Sequence, residues 1–191
     1  MKVSCFAVLA LLVANSVVAQ TNTPAAAPAA ATRGPLIAHA AHLYGGVQEI
    51  LLRAARNMPE EHYAFAPAES VRTFGQIVGH VADAQYSFCS AARSEKNPSL
   101  NIEKTKKTKA ELTASLEAAF AYCQSAYAQL DDSSASAPVK FMGSDSPRLG
   151  VLNVNSIHTI EHYGNLVTYM RMKGLVPPTS EPEFMKSLSR K

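Results

Sequence analysis

Charge in excess is what this chain has least of. Charged residues make up 17% of its 191 positions and the formal net charge is only +3, so it lacks the electrostatic footprint of a nucleic-acid binder. The single basic cluster, NIEKTKKTK at residues 101–109, contains no aromatic residue and is expected to be a solvated connection. Phosphate-cradling glycine loops are missing, which leaves nucleotide chemistry without support. No Ser-His-Asp or reactive-cysteine arrangement is visible either. Convincing alternation of apolar and polar residues is absent, so a sheet-based fold is not expected. Cysteine is scarce: there are three, and none has the short-range spacing of a thiolate metal site.

The N-terminus reads as a targeting segment. Lys2 is a short positive region, Val3 to Val13 an apolar stretch, and Val17-Val18-Ala19 a cleavage site of small residues. Cleavage is expected before Gln20, making residues 1–19 a signal peptide and the protein periplasmic or secreted. The apolar stretch is shorter than the ~20 residues of a spanning helix, so stable membrane insertion after cleavage is not expected; the alternative is an uncleaved anchor. Residues 20–34, a Pro/Ala/Thr-rich run, cannot bury a core and read as a tether. The folded domain is expected over residues 35–178, with a tail at 179–191.

Four helices can be read with their punctuation. The first spans Pro35 to Asn57, with proline at the first helical position and Pro59 beyond the end. Its expected apolar seam is Leu36, Ala40, Leu43, Val47, Ile50 and Ala54. A capping box, Thr73 with Gln76, starts the second helix, whose seam is Phe74, Val78, Val81, Gln85 and Phe88. Another, Thr108 with Glu111, starts the third, with the seam Leu112, Leu116, Ala119, Cys123, Ala126 and Leu130. The fourth begins at Ser146-Pro147 and stops at Gly174, where the following prolines forbid continuation. An all-α bundle follows. The connections 58–72 and 94–108 exceed the roughly 2–8 residues usual between antiparallel neighbours, so an overhand crossover fits.

Three histidines carry the functional information. His158 and His162, spaced H-x-x-x-H, fall on one face of the fourth helix, one turn apart. If His80 projects from the second helix toward them, three imidazoles form one face of a divalent-metal site and leave positions open for chemistry. Asp83, three residues after His80, is a candidate catalytic carboxylate: a group orienting the His80 ring, a further ligand or a base. Glu161 is the other candidate, and Asn165 falls one turn after His162. HTIEH also satisfies the inverted-zincin pattern H-x-x-E-H. That class needs a distant carboxylate ligand and a larger scaffold, which the short segment after His162 does not supply. His39, His42 and His62 are expected as ordinary exposed or seam-edge residues, and Tyr86 and Tyr163 as core rings with their hydroxyls at the rim.

The segments YAFAPAESVRTFGQIVGHVADAQYSFC and HTIEHYGNLVTYMRMKGLVPP resemble the DinB family, the DinB/YfiT-like metalloenzymes. The resemblance covers about residues 35–178. It implies a four-helix bundle of up-down-down-up topology with one metal-binding histidine in helix 2 and an H-x-x-x-H pair in helix 4. Those positions are His80, His158 and His162 here. The implied cofactor is a divalent metal ion: nickel, zinc, iron or manganese. The implied activity is that of a metal-dependent enzyme, a hydrolase or a thiol-dependent S-transferase, on a small-molecule substrate that the sequence does not name. Many relatives carry a Gly-Gln pair after the second helix-4 histidine, whereas Tyr163-Gly164-Asn165 stands here; Asn165 keeps the amide but shortens it.

A second reading is a non-catalytic module in which metal or ligand binding serves stability or sequestration. Homodimerisation through a helix pair is compatible with such a bundle, on a surface the sequence does not specify. In the implied topology helices 2 and 3 run parallel, so Cys89 and Cys123 meet at one end. Either a disulfide, as an oxidising compartment would favour, or two buried thiols satisfies the pattern.

Overall fold

Capping chemistry sets the helix starts. A computed structural model describes residues 34–188; the expected signal peptide and the expected linker up to residue 33 lie outside the described residues. Helix α1 spans Pro35–Asn57 with proline in its first turn. It has no local side-chain cap; instead Asp132 accepts hydrogen bonds from the backbone N–H groups of Leu36 (3.2 Å) and Ile37 (2.9 Å). Both capping boxes form, Thr73–Gln76 ahead of α2 (Phe74–Arg93) and Thr108–Glu111 ahead of α4 (Lys109–Ala128). Between them lies the short helix α3, Ile102–Thr105. After α4 come α5 (Asp132–Ala135), a hairpin of β1 (Pro138–Phe141) and β2 (Ser144–Pro147), and α6 (Arg148–Met172). Gly174, at φ +73°, ends α6: Leu175 N–H reaches Met170 O and Gly174 N–H reaches Arg171 O, each at 3.0 Å, a Schellman closure. Helix α7, Pro182–Leu188, ends the described chain.

Distant pairings fix the direction of each long helix. Asp132, just ahead of the hairpin and α6, caps the start of α1, while Glu181, just beyond α6, pairs with Arg53 near the end of α1. Helices α1 and α6 are therefore parallel. Cys89 and Cys123, both in the C-terminal halves of α2 and α4, are joined in a disulfide with Cα atoms 5.2 Å apart, so these two are parallel as well. The bundle is all-α in class and runs up-down-down-up, as the resemblance implies. Replacing Asp132 with alanine removes a cap from two N–H groups and is expected to cost about 1 kcal/mol in urea unfolding.

The expected seams of the second and third long helices are buried throughout. The first is displaced in its N-terminal half, while its later members Ile50 and Ala54 are buried as expected. Leu36 and Leu43 are 65% and 55% exposed, while Ile37, Tyr44 and Leu51 fill the core. Tyr44 is the cause: its hydroxyl donates to Gln85 Oε1 (2.7 Å), its ring stacks on Tyr127, and α1 turns to bury it. The hydrogen-bonded layer continues to α6, where Asn155 Nδ2 also donates to Gln85 Oε1 (2.7 Å) and Gln85 Nε2 donates to Thr159 Oγ1 (2.9 Å). Such a layer, with bonded polar groups buried among apolar ones, fixes the mutual rotation of the helices. It lies beside the disulfide, whose Cys123 Sγ accepts from Asn155 Nδ2 at 3.2 Å.

Two further expectations are corrected. The hairpin was not foreseen because each strand has only four residues and its turn is Met142-Gly143, both at positive φ, rather than the stronger Asn-Gly signal. It forms because Val139 is buried and Phe141 packs on Phe88, ring centroids 5.5 Å apart. The basic segment 101–109 is not simply a solvated connection: its first turn is α3, and Ile102 is buried at 2% exposure.

Candidate metal centre

Helices α2 and α6 bring the three histidines together. His158 and His162 project from one face of α6, with Nε2 atoms 3.2 Å apart. His80 projects from α2 and places its Nε2 3.1 Å from that of His158. A candidate ligand atom from each of the three residues lies within 4.8 Å of the others. Nitrogens held ~2.0–2.1 Å from a tetrahedral ion stand about 3.3 Å apart, close to the spacing of the two pairs. No proton arrangement makes all three nitrogens good neighbours, because a proton on His158 Nε2 satisfies only one of its two contacts. A cation among the three lone pairs removes the conflict, so the donor set fits a divalent metal.

The environment keeps the rings in the ligating form. Burial lowers the pKa of all three below the usual imidazole value. Arg72 also lowers all three, and the rings lower one another, while Glu103 and Glu161 oppose the shift in part. A histidine with a depressed pKa in the folded state favours folding above its unfolded value of about 6.5, and loses that contribution as pH falls through the folded value. The chelator-treated protein is therefore expected to lose stability as the medium is acidified below about pH 6.5. His158→Asn should show a shallower acid limb in thermal unfolding; equal slopes would contradict the assignment.

A carboxylate the sequence did not single out completes the arrangement. Glu103 Oε2 stands 3.3 Å from His80 Nδ1, placed to accept the proton of that nitrogen and so direct the Nε2 lone pair inward. Arg72 Nε holds the other Glu103 oxygen at 2.9 Å. Asp83, the expected orienting carboxylate, acts one step further back. Its two oxygens accept from the backbone N–H of Ile102 (2.8 Å) and Glu103 (3.0 Å), capping α3. Gly79 admits α3 to this position: a Cβ there would stand 2.7 Å from Glu103 Cα and 3.0 Å from its nitrogen. That glycine, beside His80 in mid-helix, was the usable signal for a close neighbour, but it did not say which residue approaches.

Glu161 is exposed and felt by His158 and His162 only through its charge, with no hydrogen bond to either ring among the described residues. His158 Nδ1 and His162 Nδ1 are buried without a protein partner. Two clefts flank the rings. One of about 610 Å³ is bounded by His162, Arg72, Glu103, Gln76, Asn165 and Tyr169. The other, of about 360 Å³, lies on the side of His80 and His158 and includes Asp83, Phe88 and Asn101. Phe88 packs between Phe141 of the hairpin and His158, with centroids 5.5 and 5.4 Å away. Tyr163 is buried and bonds Thr179 at 3.0 Å, while Tyr86 packs on Tyr122; neither is among the residues bounding the two clefts. His39 and His42 are exposed on α1.

Comparisons with known proteins agree with this architecture. The structure is similar to that of a DinB-like protein from Bacillus cereus ATCC 10987, with a TM-score of 0.67 and 16% identity over 74% of this chain and 95% of that one. It is also similar to the DinB-like protein YjoA from Bacillus subtilis, with a TM-score of 0.60 and 18% identity over 71% of this chain and 92% of that one. A search of curated proteins found no match. The sequence model of the DinB superfamily matches residues 25–166, well over half the chain, and the chain belongs to that superfamily.

Proposed function

We propose that this chain is an exported metal-dependent enzyme whose centre is held by His80, His158 and His162. The observation that carries this reading is the convergence of three imidazole nitrogens between two open clefts. A divalent ion there, nickel, zinc, iron or manganese, would supply Lewis acidity, polarising a carbonyl or favouring ionisation of a water or thiol. The chain's residues do the rest. Glu103 accepts the proton of His80 Nδ1, and Arg72 holds Glu103 in place. Asn165, Gln76 and Tyr169 offer polar contacts to a small-molecule substrate in the larger cleft. Phe88, backed by Phe141, gives the His158 ring an apolar wall at the edge of the smaller cleft. The reaction class is hydrolysis or thiol-dependent transfer, and Asp83 serves it by holding Glu103. Glu161 is left as a carboxylate at the rim.

Export is supported by the leader-like N-terminus together with the Cys89–Cys123 disulfide, since such bonds persist in oxidising compartments. Among the described residues no helix is long and apolar enough to cross a membrane.

Cobalt substitution separates an enzyme from a structural metal protein. The visible spectrum of the cobalt form is expected to change when a small thiol or imidazole is added, because three histidines would leave a bound ion accessible from the flanking clefts. A spectrum indifferent to every added ligand would indicate a closed site and favour the sequestration reading.

A further inference from the structure

The arginine that holds Glu103 is only half engaged. Arg72 immediately precedes Thr73, the cap of α2, and its backbone is held from the other side by Tyr169, whose hydroxyl donates to Arg72 O at 2.9 Å. Its guanidinium bonds Glu103 through Nε, at 2.9 Å. Neither terminal nitrogen has a protein acceptor among the described residues, and the side chain is 44% exposed. A guanidinium held side-on in this way keeps its Nη1–Nη2 edge for a second partner.

That edge belongs to the larger cleft, and its neighbours there are donors as well. Gln76 Oε1 accepts from the Thr73 N–H at 2.8 Å in the capping box, so the group left for the cleft is its Nε2, a pure donor. Asn165, exposed one turn beyond His162, offers an amide with no bond to the protein among the described residues. The nearest acceptors are already occupied. One Glu103 oxygen takes Arg72 Nε and the other faces His80 Nδ1, while the Tyr169 hydroxyl is bound to Arg72 O. Glu69, the other carboxylate bounding the cleft, is exposed and forms no ion pair among the described residues.

Electrostatics point the same way. The charge of Arg72 reaches all three rings, lowering the pKa of each. Neutral imidazoles would bring no negative charge to a divalent ion, so ion and guanidinium together favour an anionic guest. The smaller cleft has neither lysine nor arginine among its bounding residues, which directs that guest to the His162 side.

We infer that the larger cleft takes a substrate bearing a carboxylate, which docks on the Nη1–Nη2 edge of Arg72 with the amides of Gln76 and Asn165 as further donors. This rests on the metal-dependent reading of the same site and names its substrate class. A carboxylate suits the edge better than a phosphate. Its two coplanar oxygens match one guanidinium fork, and the cleft has no second arginine and no lysine to share a dianion's charge.

The test uses ω-mercaptocarboxylates of increasing chain length, each beside its neutral amide, titrated into the cobalt-loaded protein and read from the visible spectrum. The best acid is expected to bind about tenfold more tightly than its amide, the size of a charge-assisted hydrogen bond. Gln76→Glu keeps the capping box, as Glu111 does for α4, and sets a negative charge in the cleft; Arg72→Gln removes the fork. Each is expected to bring acid and amide to equal affinity. Equal affinities in the parent would overturn the inference and leave the metal reading intact, as would a preference that survives in both variants. If Arg72→Gln fails to fold or to hold cobalt, Gln76→Glu alone decides. If the parent takes up no divalent ion, the metal reading fails, and propionate is added to the metal-free protein instead. Movement of the Asn165 side-chain amide signal in nuclear magnetic resonance, absent in Gln76→Glu, would then support the carboxylate site, and no movement would overturn it.

Discussion

Removing the Cys89–Cys123 bond is expected to cost this protein about 3–4 kcal/mol. The bond closes a loop between residues 34 apart in sequence, and chain-entropy arguments give that magnitude for such a loop. Both sulfurs are fully buried, on α2 and α4, which otherwise are linked through a crossover that includes only the short α3. In a domain of this size the loss corresponds to a fall in melting temperature of roughly 10 °C. The affected region is the end of the bundle where Asn155 donates to Cys123 Sγ and to Gln85, next to His158 on α6. Thermal unfolding of Cys89→Ala/Cys123→Ala beside the parent, each with and without reductant, measures the effect. The parent should lose stability on reduction and the double variant should not respond. A parent whose free-thiol count rises under reductant with no change in midpoint would remove the bond from the account.

Gly79→Ala is expected to damage the candidate metal site without touching any of its three histidines. On an exposed helix that substitution gains about 1 kcal/mol, and Gly45→Ala, with open space around its Cβ, should show that gain. At position 79 the new methyl group meets the backbone of Glu103, at 2.7 Å from Cα, so α3 must move. Its movement strains the two bonds from Asp83 and withdraws the Glu103 carboxylate from His80 Nδ1. Overpacking of this kind costs about 1–3 kcal/mol, and loss of a carboxylate behind a metal-binding histidine weakens affinity about 10–100-fold. Glu103→Gln should reproduce the affinity loss with little change in stability. Competition titration against a coloured chelator reads the affinity, and urea unfolding reads the stability. Parental affinity in both variants would show that Glu103 does not position His80.

Local, strongly patterned features were legible from residues alone. Two capping boxes, the proline that opens α1 and the glycine after α6 act within a few residues of where they are read, so all four long helices stand where expected. The three histidines were legible because two share a helix face and the third matches a family pattern. Features that depend on partners distant in sequence were not. The rotation of α1 depends on Tyr44 finding Gln85, 41 residues away, and an apolar seam one residue off reads equally well in the sequence. Glu103 sits in a lysine-rich stretch that looks solvated until α3 folds onto Gly79. Asp83 was singled out for its nearness to His80 along the helix, yet its carboxylate points to α3. The hairpin escaped notice because four-residue strands have too little alternation to register.

Elemental analysis of the protein purified without chelators, beside a His80→Ala/His158→Ala/His162→Ala variant, tests the central claim most directly. The account predicts close to one divalent ion per chain in the parent, and none in a variant that keeps its helical content. Negligible metal in both proteins, even after reconstitution with nickel, zinc, iron or manganese, would contradict it.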